Sequence, residues 1–197
     1  MKHIALAALI ALTVGCKDKA ADPPPATPAS APAPPPTVPA PPAPPARPAT
    51  ATAALEARSG SNVQGTVTFK AVDGGVEVTA AIEGLTPGDH AYHVHEHGDC
   101  SAPDAASAGG HFNPHAQPHG APDAEARHAG DFGNLTGGAD GKATRTFVMK
   151  GITLGDDASS VVGKGFIVHE KADDLKTQPT GDAGGRVACG VIRLDPR

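Results

Sequence analysis

The sequence predicts an all-β domain, an antiparallel Greek-key sandwich or flattened barrel. Three observations predict it: short runs in which apolar and polar residues alternate, the lack of a helical period of useful length, and 24 glycines with long loops between the runs. Val63, Gly65, Val67 and Phe69 alternate with Gln64, Thr66, Thr68 and Lys70, and Val76, Val78, Ala80 and Ile82 alternate in the same way. Each run reads as a strand with one buried face. Asp73-Gly74-Gly75 between them supplies the positive-φ residues of a tight hairpin. A weaker first strand falls at 54–58, and later strands at 90–96, 134–136, 143–149, 165–170 and 186–194, with Asp140-Gly141 marking another turn. The core is small, with five Phe, one Tyr and no Trp, so a disulfide and bound metal would add needed stability.

The folded domain spans 54–197, and what precedes it has a different character. Residues 1–16 read as an export signal: Lys2 and His3 precede an apolar run at 4–14, shorter than the about 20 residues that span a bilayer. The run ends in Leu12-Thr13-Val14-Gly15-Cys16, which resembles the lipobox of bacterial lipoproteins and makes Cys16 the lipidated residue. Thr13 stands where that pattern prefers leucine, and ordinary cleavage, which leaves a soluble exported protein, is the other reading. Residues 17–53 are almost entirely Pro, Ala, Thr and Ser, a composition that buries too little apolar area to offset its ordering entropy. They read as a polyproline II tether reaching on the order of 100 Å, in preference to a ligand for an SH3-type domain.

The chain is expected in the periplasm or cell envelope, with the lipid at Cys16 as its membrane contact. If Cys16 carries lipid, Cys100 and Cys189 remain, and two cysteines in an exported domain usually form a disulfide. Residues 55–197 hold twelve Lys and Arg against nineteen Asp and Glu, a net charge of −7 that argues against a nucleic-acid partner.

Eight of the ten histidines fall between His90 and His128, and another is His169. A lone histidine is more often a satisfied core or surface residue than a ligand, so each needs a geometric reason. His93 and His95 lie two apart on a predicted strand, which projects both rings from one face toward one metal ion. The following loop adds His111, His119, His128 and Asp131, an imidazole and carboxylate set that suits tetrahedral zinc. His169 ends the apolar run Gly165-Phe166-Ile167-Val168 and could complete the His93, His95 pair.

The runs His93-Val94-His95-Glu96, Gly110-His111-Phe112-Asn113-Pro114, Arg127-His128-Ala129-Gly130-Asp131, Val168-His169-Glu170-Lys171-Ala172-Asp173-Asp174 and Gly184-Gly185-Arg186-Val187-Ala188-Cys189-Gly190-Val191 resemble the copper/zinc superoxide dismutases. All five stand in that family's order, and the steps of eight, nine and three residues from His111 to Asp131 agree with its pattern. The resemblance implies a barrel with long metal-binding and electrostatic loops. It implies copper on His93, His95, His111 and His169, and zinc on His111, His119, His128 and Asp131. His111, shared, would bridge as an imidazolate, which two nearby cations make feasible. Asp173 matches a carboxylate that accepts hydrogen bonds from one ligand of each metal, His93 and His119. Cys100 and Cys189 match an intrasubunit disulfide, and His90 a histidine that braces loops.

The activity implied is conversion of superoxide to dioxygen and hydrogen peroxide, copper alternating between Cu(II) and Cu(I) while zinc has no redox step. His111 would then carry a proton between the two half-reactions. Arg186 is the residue expected to draw the anion to copper against the net negative charge. Lys171 and Lys176 lie in the counterpart of the electrostatic loop, which is short here. His97 and His115 fall outside the ligand pattern, as surface residues or an auxiliary copper-capture pair. The competing reading of the domain is a copper-binding or copper-delivery module without turnover. Assembly stays open, a homodimer being one form, because bacterial and eukaryotic relatives associate through different surfaces.

Overall fold

The computed structural model describes residues 48–196. The 1–16 segment read as an export signal, with Cys16, and all but the last residues of the 17–53 segment read as a tether lie outside the described residues. Nine strands follow in order: β1 Thr50–Ala57, β2 Gln64–Val72, β3 Gly75–Glu83, β4 Gly88–His95, β5 Asp131–Gly137, β6 Lys142–Met149, β7 Gly165–His169, β8 Arg186–Val191 and β9 Arg193–Leu194. One 3-10 turn, Ala106–Ala108, is the sole helical element among the described residues.

Hydrogen bonding runs in the order β5-β4-β7-β8-β1-β2-β3-β6, with β9 alongside β1, and every pair is antiparallel. The chain crosses from β3 to β4 and from β6 to β7 between the two sides, so the sheet curls into a nearly closed, flattened eight-stranded barrel. Its two edges, β5 and β6, are bridged by side chains. The Arg145 guanidinium donates to the Asn134 carbonyl and covers the Phe147 ring, which packs edge-on against Phe132 and Tyr92.

The first strand begins at Thr50, four residues before the expected 54. Ala51 and Ala53 are fully buried opposite Phe69 and Val67, so small inward residues make room for large ones across the ladder. Alanine and threonine continue the composition of the tether, which hides this start. The expected strand over 186–194 is divided at Ile192, whose side chain enters the core while its amide and carbonyl bond to Lys164 and Gly163. In the β2–β3 hairpin only Gly74 takes a positive φ, of 82°; Gly75 already belongs to the strand.

The barrel interior holds Leu55, Val67, Phe69, Val78, Ile82, Tyr92, Val94, Phe132, Phe166, Val168 and Ile192 among its buried residues. β4 departs from the one-buried-face pattern, since His90 through His95 are all buried. Tyr92 and Val94 join the core. His93 and His95, on the opposite face, are covered by the long loop that follows β4 and the shorter one that follows β7. Ile167 and Cys189 point to that outer side too, and with Ala105, Ala108 and Cys100 form a small second apolar cluster under the loop after β4.

Tyr92 sits at the centre of the aromatic core, and its hydroxyl has no protein partner among the described residues. Burial pushes its ionisation up to about 12, against a small opposing pull from Arg145. Tyr92→Phe keeps the ring and removes an unpartnered hydroxyl, so stability is expected to hold or rise by up to about 1 kcal/mol. Urea unfolding checks this, and a loss above about 2 kcal/mol would contradict it.

Candidate metal centre

The strand registers assemble the site. Across the β4–β5 ladder His93 faces Asp131; across β7–β8 His169 faces Arg186; and an isolated bridge sets His95 opposite His111. The register shifts between Ala91 and His93, and again between Val168 and His169. Such bulges re-aim a side chain relative to the regular pleat, and both fall beside a histidine of the site.

Two groups of buried side chains result, each with one ligand atom per residue and all such atoms within 4.8 Å of one another: His93, His95, His111 and His169; and His111, His119, His128 and Asp131. In the first group, His93 Nδ1, His95 Nε2, His111 Nε2 and His169 Nε2 are buried and make no hydrogen bond. Four partnerless ring nitrogens facing one point are costly unless something binds them. Burial holds all four rings below the usual imidazole range, His111 at about 4, so their lone pairs are free at neutral pH. The opposite nitrogens fix the tautomers: His95 Nδ1 donates to the Gly109 carbonyl at 3.0 Å, and His93 Nε2 donates to Asp173 Oδ2 at 2.8 Å.

The second group converges on one carboxylate oxygen. Asp131 Oδ1 lies 2.8 Å from His111 Nδ1, 3.0 Å from His119 Nδ1 and 3.2 Å from His128 Nδ1, and His128 Nδ1 is 3.4 Å from His111 Nδ1. A tetrahedron around a zinc ion with bonds near 2.0 Å has edges of about 3.3 Å, so these spacings fit a zinc-sized cation at the centre. Asp131 Oδ2 accepts from the amides of Gly120 and His128, which leaves Oδ1 aimed at the three rings. Burial raises the Asp131 carboxyl, but the imidazoles outweigh it and hold the group far below the usual carboxylate range. For His119, burial opposes the charged ring, yet the carboxylates on its two nitrogens push it up to about 9.

Asp173 joins the two groups. Its Oδ2 accepts from His93 and its Oδ1 from His119 at 2.9 Å, and its own main chain is gripped by Asn134 on β5. The Asn134 amide donates to the Asp173 carbonyl at 2.9 Å, and its oxygen accepts from the Asp173 amide at 2.6 Å.

Arg186 is half-buried, and its two terminal nitrogens donate to the carbonyls of Ala105 and Gly109 at 2.6 and 2.7 Å. Gly109 therefore accepts from both Arg186 and His95. The Cys100–Cys189 disulfide fastens the loop carrying Ala105 and Gly109 to β8, and Arg58 Nε donates to the Cys100 carbonyl. Closing 89 residues of chain contributes on the order of 4 kcal/mol by loop entropy.

The remaining histidines stay outside both groups. His90 contacts the His169 carbonyl through Nδ1 at 2.9 Å and the hydroxyl and carbonyl of Thr86 through Nε2, so the ring braces the strand end that carries His169. His97 is exposed beside Glu96, and His115 contacts Ser159. Lys171 and Lys176 are exposed. Sequence reasoning had not found Asn134, the Gly109 carbonyl or Gln178, which contacts the main chain of His119. Asn134 sat within a predicted strand with no spacing to distinguish it.

The fold and site define a class: an antiparallel barrel with two adjoining groups of metal-ligand-type side chains that share one imidazole. The sequence model of the copper/zinc superoxide dismutase (SODC) family matches residues 63–192, and the chain belongs to that family. It is similar to the solved crystal structure of the clock protein EA4, at 40% identity and a TM-score of 0.68, covering 75% of this chain and 96% of that one.

Asp173→Asn turns one of the two acceptor oxygens into an amide that faces an imidazole N–H. Metal affinity of the purified protein, measured by chelator competition, is expected to fall about 10- to 100-fold. Affinity within twofold of the parent would show that the Asp173 link does not set ligand orientation.

Proposed function

We propose that this chain is a superoxide dismutase, binding copper at His93, His95, His111 and His169 and zinc at His111, His119, His128 and Asp131. The observation that carries the reading is His111, whose Nε2 belongs to one group and Nδ1 to the other, so one ring connects the two sites. Four imidazoles without a carboxylate suit copper, and the set with Asp131 suits zinc. Bound copper supplies a one-electron redox couple, and bound zinc supplies fixed positive charge.

The net reaction consumes two superoxide ions and two protons and yields one dioxygen and one hydrogen peroxide. The chain's residues would bind the anion and hold a proton. Arg186 is the cation beside His169 in the β7–β8 register; its two backbone hydrogen bonds fix the guanidinium. Burial draws its pKa down, and Asp104 pulls the other way. A fixed guanidinium can both attract and hydrogen-bond a small anion, whereas the domain's net charge repels it. His111, the ring shared by the two groups, is the residue that would hold a proton between the two half-reactions. Asp173 and the Gly109 carbonyl keep His93 and His95 in the tautomers that leave their lone pairs available.

Export to the periplasm or cell envelope belongs to the same proposal. The 1–16 signal supports it, and so does the Cys100–Cys189 disulfide, a bond characteristic of oxidising compartments. Lipidation at Cys16 is proposed from the lipobox-like sequence alone.

The test is superoxide decay with the copper- and zinc-loaded protein. Decay is expected to be catalysed, to be lost in His169→Ala, and to fall about 10-fold or more in Arg186→Ala. Added salt should slow the parent more than the Arg186 variant, since it screens the attraction. Stoichiometric metal binding without catalysis would overturn the dismutase reading in favour of a copper-binding module.

A further inference from the structure

We propose that Gln178 is a positioning residue for the zinc site, holding the main chain of His119 as a neighbouring strand would. The inference rests on reading His111, His119, His128 and Asp131 as the zinc site.

Two of these four residues are fixed by sheet pairing, and a third, His128, by a bond from its own amide. His111 is bridged to His95; Asp131 begins β5; and His128 lies three residues ahead of it, its amide bonded to the Asp131 carboxylate. His119 lies in the same irregular stretch as His128, but there it is the following residue, Gly120, whose amide bonds to the Asp131 carboxylate. Its amide donates to Gln178 Oε1 at 2.8 Å, and its carbonyl accepts from Gln178 Nε2 at 2.9 Å. One side-chain amide thus reproduces the donor and acceptor pair that a β-partner offers. The same Nε2 also donates to the Lys176 carbonyl at 3.2 Å.

The segment presenting Gln178 is built by its own hydrogen bonds. Asp174 accepts from the amides of Lys176 and Thr177 and from the Thr177 hydroxyl. The Asp174 amide donates to the Gly181 carbonyl, and the Gly181 amide to the Thr177 carbonyl. Gly181, at φ +70°, lies against the His119–Asp173 hydrogen bond so closely that a Cβ there would overlap Asp173 Oδ1 and come within 2.7 Å of His119 Nε2. His119 is therefore held on both sides: at its ring by Asp173 under Gly181, and at its backbone by Gln178. A ring so fixed loses little freedom on binding a cation, which raises affinity by preorganisation.

Gln178 is exposed, so its replacement leaves no cavity. Gln178→Met removes donor and acceptor at similar length, and Gln178→Glu keeps only the acceptor for the His119 amide. Gln64→Met, which removes the surface bond from Gln64 to Glu83, controls for the substitution itself. Zinc affinity of the full chain is measured by chelator competition, and site geometry by the visible absorption of one equivalent of cobalt(II). Gln178→Met is expected to weaken zinc about 10- to 100-fold and to shift the cobalt bands, with Gln178→Glu intermediate and Gln64→Met within about twofold of the parent. A zinc affinity within twofold of the parent and an unchanged cobalt spectrum in Gln178→Met would overturn the inference while leaving the zinc site standing. An equal loss in Gln64→Met would overturn it too. Should Gln178→Met not fold, parent-like affinity in Gln178→Glu decides against it. A parent that takes up no zinc overturns the metal reading and this inference together.

Discussion

The rest of the site depends on the two-sided burial of β4. Along this strand Tyr92 and Val94 enter the aromatic core while His93 and His95 enter the histidine cluster, so period-two alternation sorts packing from chemistry residue by residue. A one-residue slip would move imidazoles into the core and aromatics into the site, so the core that stabilises the barrel also enforces the position of the ligands. The partners follow from that register: Asp131 across from His93 on one side, and β7, which carries His169, on the other. Bulges beside His93 and His169 turn the rings from the regular pleat without losing the ladder.

On this frame, two carboxylates orient four of the six clustered imidazoles: Asp131 contacts His111, His119 and His128, and Asp173 contacts His93 and His119. Asp131 directs one oxygen at three rings and satisfies the other with backbone amides, which suits a residue that must present a single lone-pair direction. Asp173 binds no ligand point itself; it spans one ring of each group, so the orientation of His93 and that of His119 are coupled through one side chain. The loop between β7 and β8 contributes Asp173, Gln178 and Gly181, which makes this short segment a cover over the second group. Arg186, at the start of β8, is tied by its guanidinium to the loop that the disulfide secures, so fold stability and placement of the cation share one set of bonds.

Much of this was legible in the sequence, and the illegible parts have physical causes. Alternation exposes β2 and β3 because each buries only one face; β4 is buried on both faces, which erases that pattern along it. The start of β1 at Thr50 was concealed because Ala51 and Ala53 look like linker residues until Phe69 and Val67 are seen opposite them. The side chains that the resemblance groups do come together, and they carry a local signal in the chain, a spacing of two on a strand and steps of eight, nine and three in a loop. Gln178 and Asn134 carry none. They meet His119 and Asp173 across 59 and 39 residues, through contacts that exist only after the barrel has brought its loops together.

The central claim is that one imidazole, His111, joins two chemically different metal sites. It is tested most directly by anomalous X-ray scattering at the copper and zinc absorption edges from crystals of the metal-loaded protein. The account predicts a copper peak among His93, His95, His111 and His169, a separate zinc peak among His111, His119, His128 and Asp131, and the His111 ring between them. A single metal peak, or a His111 ring that contacts only one of two peaks, would contradict it.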